Sequence, residues 1–455
     1  MNSTILRPLA LSLFLPLAAC GGDDPCADYT GTGNCVAVSV DRNDPTTSIK
    51  TALLSAQPGD VIQLPEGRFE LATELSVSKD DITIRGAGRD KTILDFSGQA
   101  AGAGSAGIKA ESVKNFTVEA LSVVNTSGDA IVAINSVNVT FQNLRVEWER
   151  GPDPDNGLYG LYPVRSRNVL VKDNLIRGAS DAGIYVGEST NAVVVGNNAW
   201  ENVSGLQIEN TVNSEVYNNT VTNNTLGLFI FDLPNKLHNK NGGHHLVYDN
   251  VSRNNNLGNY ADASQISGDA PAGTGILVMA TRNVEVRNNT VEDNSGIGIG
   301  VASYFSTLRP ISDDQYYPYP ISVYIHDNTI IGGGDNPNIK RLDGGFQDIG
   351  LALVALFGDD DVADLVFDGV VTDTVFAGGT TENPQAICFK DNTADGNPAT
   401  FANLNFEQLG VEDPELTFDE LLDNLDSSII KTYENTSNPF ACEGKIVSGV
   451  TFTDE

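Results

Sequence analysis

The residues best placed to do chemistry stand out by charge. From Leu233 to Tyr248 there is no Asp or Glu, in a chain of net charge −33. That stretch holds Lys236, His238, Lys240, His244 and His245, three of the four histidines among them. Histidine carries protons near neutral pH and lysine neutralises a carboxylate. Elsewhere, Tyr304 and Arg309 offer a phenol and a fixed cation, and Asp155 a carboxylate. β-Elimination or C5-epimerisation of a uronate needs a base, a neutraliser and an acid. His238 or His245, Arg309 and Tyr304 fill those roles on paper. The bland alternative is that His244 and His245 begin a strand and the lysines are solvated.

These groups need positioning, and the chain supplies it by repetition. Asn-Val-x-Val or a close variant starts at Asn115, Asn138, Asn168, Asn191, Asn213, His244, Asn283 and Ser322. The tightest intervals are 23 (115 to 138), 23 (168 to 191) and 22 (191 to 213). A fixed period of this length means a solenoid. Val169 and Val171 alternate with polar residues, as do Ile184 and Val186, so both pieces read as strands. A second Asn recurs at Asn174, Asn197, Asn219, Asn250, Asn289 and Asn328. In stacked coils ~4.8 Å apart these would form an amide ladder. A leucine-rich repeat is the rival solenoid, but the return segment RGASDAGIYVGEST is glycine-rich and β-patterned rather than helical. The expectation is an all-β, right-handed parallel β-helix with three strands per coil.

Long insertions interrupt the repeat at 149–159, 232–243, 255–273, 302–320 and 332–348. They flank the Gly-Ile-x-Val strand on both sides, so they should wall one face of the rod. Alternation along that strand sends one side chain per coil outward. The row reads Val132, Tyr162, Tyr185, Gln207, Phe229, Leu277, Gly298 and Ala352, with Glu209, Phe231 and Met279 one station on. Outward rings at coil spacing suit the faces of sugars, with Gln207, Glu209, Lys236 and Asp155 as polar partners. Burial of the rings by folded-over loops is the competing expectation, and an apolar patch around Leu277 and Met279 a third.

The N-terminus reads as an export signal: an apolar run too short to span a bilayer, then LAAC at Leu17–Cys20. LAAC resembles the bacterial lipobox, which implies removal of 1–19 and lipidation of Cys20; Gly21 and Gly22 favour the outer membrane. An exported chain keeps disulfides, so Cys26–Cys35 and Cys388–Cys442 are expected. Residues 20–37 read as a linker, 38–410 as the rod and 411–455 as a C-terminal cap. SIKTALLSAQPGD (Ser48–Asp60) reads as a capping helix, and TFDELLDNL (Thr417–Leu425) as a second helix. The acidic composition argues against nucleic acid as a partner. Acidic clusters such as Asp359-Asp360-Asp361 would tolerate calcium, but no spacing specifies a metal or other cofactor.

The opening coils, VIQLPEGRFEL and DITIRGAGRDKTILDF, resemble the pectin-lyase-like β-helix superfamily. With the lipobox and the terminal NPFACEG, the chain resembles exported parallel β-helix domain lipoproteins of Gram-negative bacteria. That resemblance implies a periplasmic diheme c-type cytochrome as a partner. Superfamily catalytic signatures are mostly missing: the nearest piece to the Gly-His-Gly of polygalacturonases is GGHHL, without the accompanying aspartates and Arg-x-Lys, and Asp153-Pro154-Asp155 lacks the histidine of the epimerase motif. The functional expectation is a lipid-anchored envelope protein that binds, and on the fuller reading modifies, an extended polysaccharide: a lyase, uronate epimerase or glycoside hydrolase. The alternative is a non-catalytic scaffold docking the cytochrome or another envelope protein.

Overall fold

The computed structural model describes residues 25–27, 29–100, 106–337, 339–358, 360–434 and 439–453. The leader, Cys20, Asp359 and Asn438 lie outside them. Three sheets of 12 strands each run the length of a right-handed parallel β-helix. Each coil contributes one strand to each sheet. The Asn-Val-x-Val strands, such as Arg167–Lys172 and Thr190–Val195, build the first sheet. Three-residue strands such as Leu175–Arg177 build the short sheet. The Gly-Ile-x-Val strands, such as Ala182–Gly187, build the third, called here the floor sheet. Pairing is parallel except where Thr393–Ala394 meets Asn397–Pro398 and Thr400–Asn403 meets Lys431–Glu434.

The valines and isoleucines expected to face inward, including Val169, Val171, Ile184 and Val186, are fully buried in one continuous core. The second-Asn ladder is present. Asn174 Nδ2 donates to Asn197 Oδ1 at 2.9 Å, and the chain continues through Asn219, Asn250, Asn289 and Asn328 to Asn392 at 2.9–3.0 Å. Each ladder oxygen also accepts the preceding ladder residue's backbone N–H, as at Asn174 and Asn197. The tight-turn geometry falls on the residue before each ladder asparagine, for example Asp173 at φ 55° and Asn218 at φ 53°. Asp and Asn tolerate this left-handed conformation because their short side chains bond locally. Two further columns accompany it: a buried one from Asn202 through Asn224 and Asn255 to Asn294, and an outer one from Asn115 to Asn213.

Helix α1 (Pro45–Ser55) is N-capped by Asp44 and inserts Ile49 and Leu53 into the first coil's core, closing that end. Both disulfides form as expected, Cys26–Cys35 at one end and Cys388–Cys442 at the other. Sheet pairing already begins at Asn34–Ala37, inside the segment read as linker. At the far end the core is closed by Phe440 and Tyr433 packed on Phe401. Helix α2 (Asp348–Phe357) replaces the strand read around Ala352, because DIGLALVALF is apolar all round rather than alternating. Helix α3 (Phe418–Asn424) carries a Thr417–Glu420 capping box. It joins α2 in an apolar cluster with Val366 and Ala402 on the outside of the floor sheet, so it does not cover the end of the stack.

Beyond Cys442 the chain turns back along the first sheet. Glu443 meets Tyr324 and Lys390, and Lys445 Nζ donates to Asn283 Oδ1 at 2.9 Å. The N–H of Val447 donates to Glu285 (2.6 Å) and that of Val450 to Glu215 (2.9 Å). Finally Asn168 Nδ2 donates to Thr453 O at 2.7 Å. This tail lies against the side of the rod, while the stapled end itself is capped by Phe440 and Tyr433 beside Cys388–Cys442.

Candidate functional site

The floor sheet sets the register. Val132, Tyr162 and then Tyr185, Gln207, Phe229, Leu277 and Gly300 occupy successive stations in adjacent coils. Gly300 and Val366 take the places expected for Gly298 and Ala352, since Ile299–Ala302 pairs two residues further on and α2 lies outside the sheet.

Over this row lies a cleft of about 310 Å³. Tyr162, Tyr185, Gln207 and Glu209 form its floor, Lys236 stands in one wall, and Tyr304 and Arg309 bound it. The structure therefore brings together seven of the residues singled out from sequence. Tyr159, at the end of the 149–159 insertion, joins them, and the structure adds Asp181, with Asn235, Gln265 and Ile266 from the other insertions. Three tyrosine rings cluster at the mouth: Tyr159 lies 4.5 Å from Tyr162 and 4.6 Å from Tyr185, centroid to centroid. Tyr159 and Tyr162 remain half-exposed, while Tyr185 is buried beneath them.

Behind the rings sit carboxyl groups. Asp181 is buried; Gln207 Nε2 donates to its Oδ1 at 3.0 Å and Tyr159 Oη to its Oδ2 at 3.1 Å. Burial pushes Asp181 up to about 6, although those donors pull the other way. Burial likewise raises Asp129 to about 7 and Asp232 to about 8. Glu209 is ion-paired with Lys236. A buried carboxyl raised toward neutral pH, lining the same cleft as one paired with a lysine, is a donor–acceptor arrangement suited to proton transfer. Asp181 has a faint sequence signal: it directly precedes a floor strand, in SDAGIYV.

The other expectations are corrected by placement. His245 faces the rod's interior, in register with Ser214 and Val284. Its Nδ1 bonds Ser214 Oγ at 2.7 Å, its Nε2 approaches Thr281 Oγ1 at 3.3 Å, and burial lowers it to about 3. It is a neutral core residue and reaches no substrate. His238 is exposed on the rim, 3.7 Å from Glu188, and is not among the cleft's lining residues. Arg309 is committed elsewhere: Nε to Asp269 Oδ2 at 2.6 Å, and its terminal nitrogens to the carbonyls of Ala263, Ser264 and Gln265 at 2.9 Å each. It clamps the 255–273 insertion to the 302–320 insertion instead of awaiting a carboxylate. Phe229 is buried under those loops against Phe231, and Asp155 is exposed on the 149–159 insertion away from the cleft. Among the described residues no group of three or more His, Cys, Asp or Glu could hold a metal, and no helix is long and apolar enough to cross a membrane.

Comparison with known proteins agrees with this architecture. The family model described as "Right handed beta helix region" matches residues 106–259. The A-module of the mannuronan C-5 epimerase AlgE4 from Azotobacter vinelandii is similar in fold: TM-score 0.50, 17% identity, covering 81% of this chain and 95% of that one. DFA-IIIase from Arthrobacter chlorophenolicus A6 aligns with TM-score 0.44 and 13% identity, over 76% of this chain and 94% of that one. No curated protein matches the sequence. In fold, the chain is a right-handed parallel β-helix.

Proposed function

We propose that this is an exported glycan-binding β-helix protein, lipid-anchored through Cys20 at the outer membrane, whose cleft hydrolyses a glycosidic bond. The observation that carries the reading is the cleft itself, where tyrosine rings stand over a buried carboxyl held by Gln207 and Tyr159. Sugar faces stack on such rings while their hydroxyls find the polar groups beneath. In its acid form Asp181 would give its proton to the glycosidic oxygen as the C–O bond breaks. Glu209, the second carboxylate, would either take a proton from a water that attacks the anomeric carbon, or attack that carbon itself and be released when water hydrolyses the ester. A uronate lyase or epimerase is less well served, because neither cation at the cleft is free. Lys236 is held by Glu209 and Arg309 by Asp269. The fold is one on which carbohydrate-active enzymes are built, which permits the chemistry without specifying it.

The test is a glycan array probed with the protein lacking its leader and Cys20, followed by product analysis of each hit. Tyr162→Ala should weaken binding by about tenfold or more. Asp181→Asn should keep binding and lose turnover, and wild-type kcat/KM should fall as pH rises through about 6, where Asp181 loses its proton. A blank array together with a stoichiometric envelope protein in native purifications would replace this reading with the scaffold one.

A further inference from the structure

The floor row does not stay open along the whole rod. At Tyr162, Tyr185 and Gln207 it faces the cleft. One coil later, Phe229 and Phe231 stack at 3.8 Å and are buried beneath Ala270, Ile266, Tyr304 and Tyr316. The roof over them is fixed by bonds between three separate insertions. Arg309 joins 302–320 to 255–273 through Asp269 and three carbonyls. Lys240 Nζ bonds Asp313 at 3.0 Å, and Tyr316 Oη donates to Asp232 O at 2.8 Å, joining 302–320 to 232–243.

Among the described residues the opposite end has no such wall. In the coil carrying Val132, residues 125–128 alone connect the short strand to the floor strand, and residues 135–136 alone lead out of it. The floor there continues to half-buried Lys109 and Ile134 and exposed Glu111. Among the described residues the groove is open toward the N-terminal coils and blind toward the C-terminal ones. At about 310 Å³ the cleft lies at the small end of the ~300–1,000 Å³ typical of ligand pockets.

Resting on the glycan-binding reading above, we infer that the cleft takes the end of a glycan chain and not its middle. A strand lying along the axis would have to pass through the Arg309–Asp269 partition. A chain entering from the open side instead sets its terminal residue against Ile266 and Tyr304, with the tyrosine cluster beneath the next unit. These two residues then select which terminal sugar is accepted.

The test works whichever sugar is preferred. The intact protein is titrated with laminarin, dextran, soluble starch, polygalacturonate and alginate, each before and after mild acid hydrolysis that shortens the chains about tenfold, with mass held constant. Binding to ends predicts that the mass-based midpoint falls about tenfold for whichever glycan binds, because the molar concentration of ends has risen by that factor. A midpoint unchanged by shortening would overturn end recognition while leaving glycan binding intact. Absence of binding across the panel, shortened or not, would overturn the glycan reading and this inference with it. Arg309→Ala, which unties the partition, should make the midpoint insensitive to chain length; retention of the full length dependence in a folded Arg309→Ala protein would remove the partition from the explanation.

Discussion

The Asn174–Asn392 column and the Tyr162–Leu277 row climb the same rod at one station per coil, yet they differ in kind. The first places one residue type in every coil, buried, each amide bonded to the next. The second changes type at each step, from Tyr to Tyr to Gln to Phe to Leu. The first faces a requirement that repeats with the backbone: an inward polar group at each turn must find partners in the coils above and below. The second faces loops that differ from coil to coil. In a solenoid, sameness along a column marks what the winding needs, and variation marks where one coil has been given a task of its own.

The sharpest way to break the contrast is Asn219→Ala. It removes the acceptor of Asn197's backbone and side-chain N–H groups and the donor to Val194 O, all buried. Unfolding free energy should drop by roughly 3 kcal/mol, read from urea denaturation, since each stranded buried group costs about 1–3 kcal/mol. A smaller, pH-dependent effect is expected from Asp232→Asn at the neck of the 232–243 loop, where Asp232 Oδ2 accepts the Gly242 N–H at 2.6 Å. Its carboxyl is raised to about 8 by burial. A carboxyl raised in the folded state contributes stability that is full below the ordinary carboxylate range and is lost as pH rises through its folded value. The wild type should therefore lose Tm between about pH 5 and about pH 8, and Asp232→Asn should flatten that slope. Asp129 and Asp181 leave a residual slope of the same sign. The smallest effect belongs to Asn191→Ala in the outer column. Asn191 is half-exposed at φ 57°, with one ladder bond on each side. About 1 kcal/mol is expected, most of it from placing alanine in left-handed backbone. An equal cost for the inner and outer substitutions would undo the distinction between the columns.

The same contrast explains how much of the molecule is legible in its sequence. The period, the inward valines, the ladder asparagines and the disulfide pairs are legible, because each reflects a local rule repeated many times. His245 is legible too, in principle: aligning His244 with Asn168 puts His245 at the inward station of Val169, and the electrostatic appeal of the stretch hides that consequence. The fate of the floor is not legible. Nothing in 255–273 or 302–320 alone announces that Arg309 will find Asp269, or that Phe229 will be roofed while Tyr162 stays open. Arg309 and Asp269 lie 40 residues apart in sequence, and their contact is made once. Helix α2 escapes a sequence reading for a related reason: an all-apolar run carries no period by which to tell helix from strand.

The returning tail changes how the rod bears load. In a plain stack every coil is held by its two neighbours, so force or heat applied at one end peels coils away in turn. Here a thread fastened at Cys388–Cys442 is stitched to coils carrying Asn283, Glu285 and Glu215 and knotted at Asn168. The last coil cannot lift without drawing on one near the middle. The stack behaves less like loose coins than like beads pulled tight on a cord.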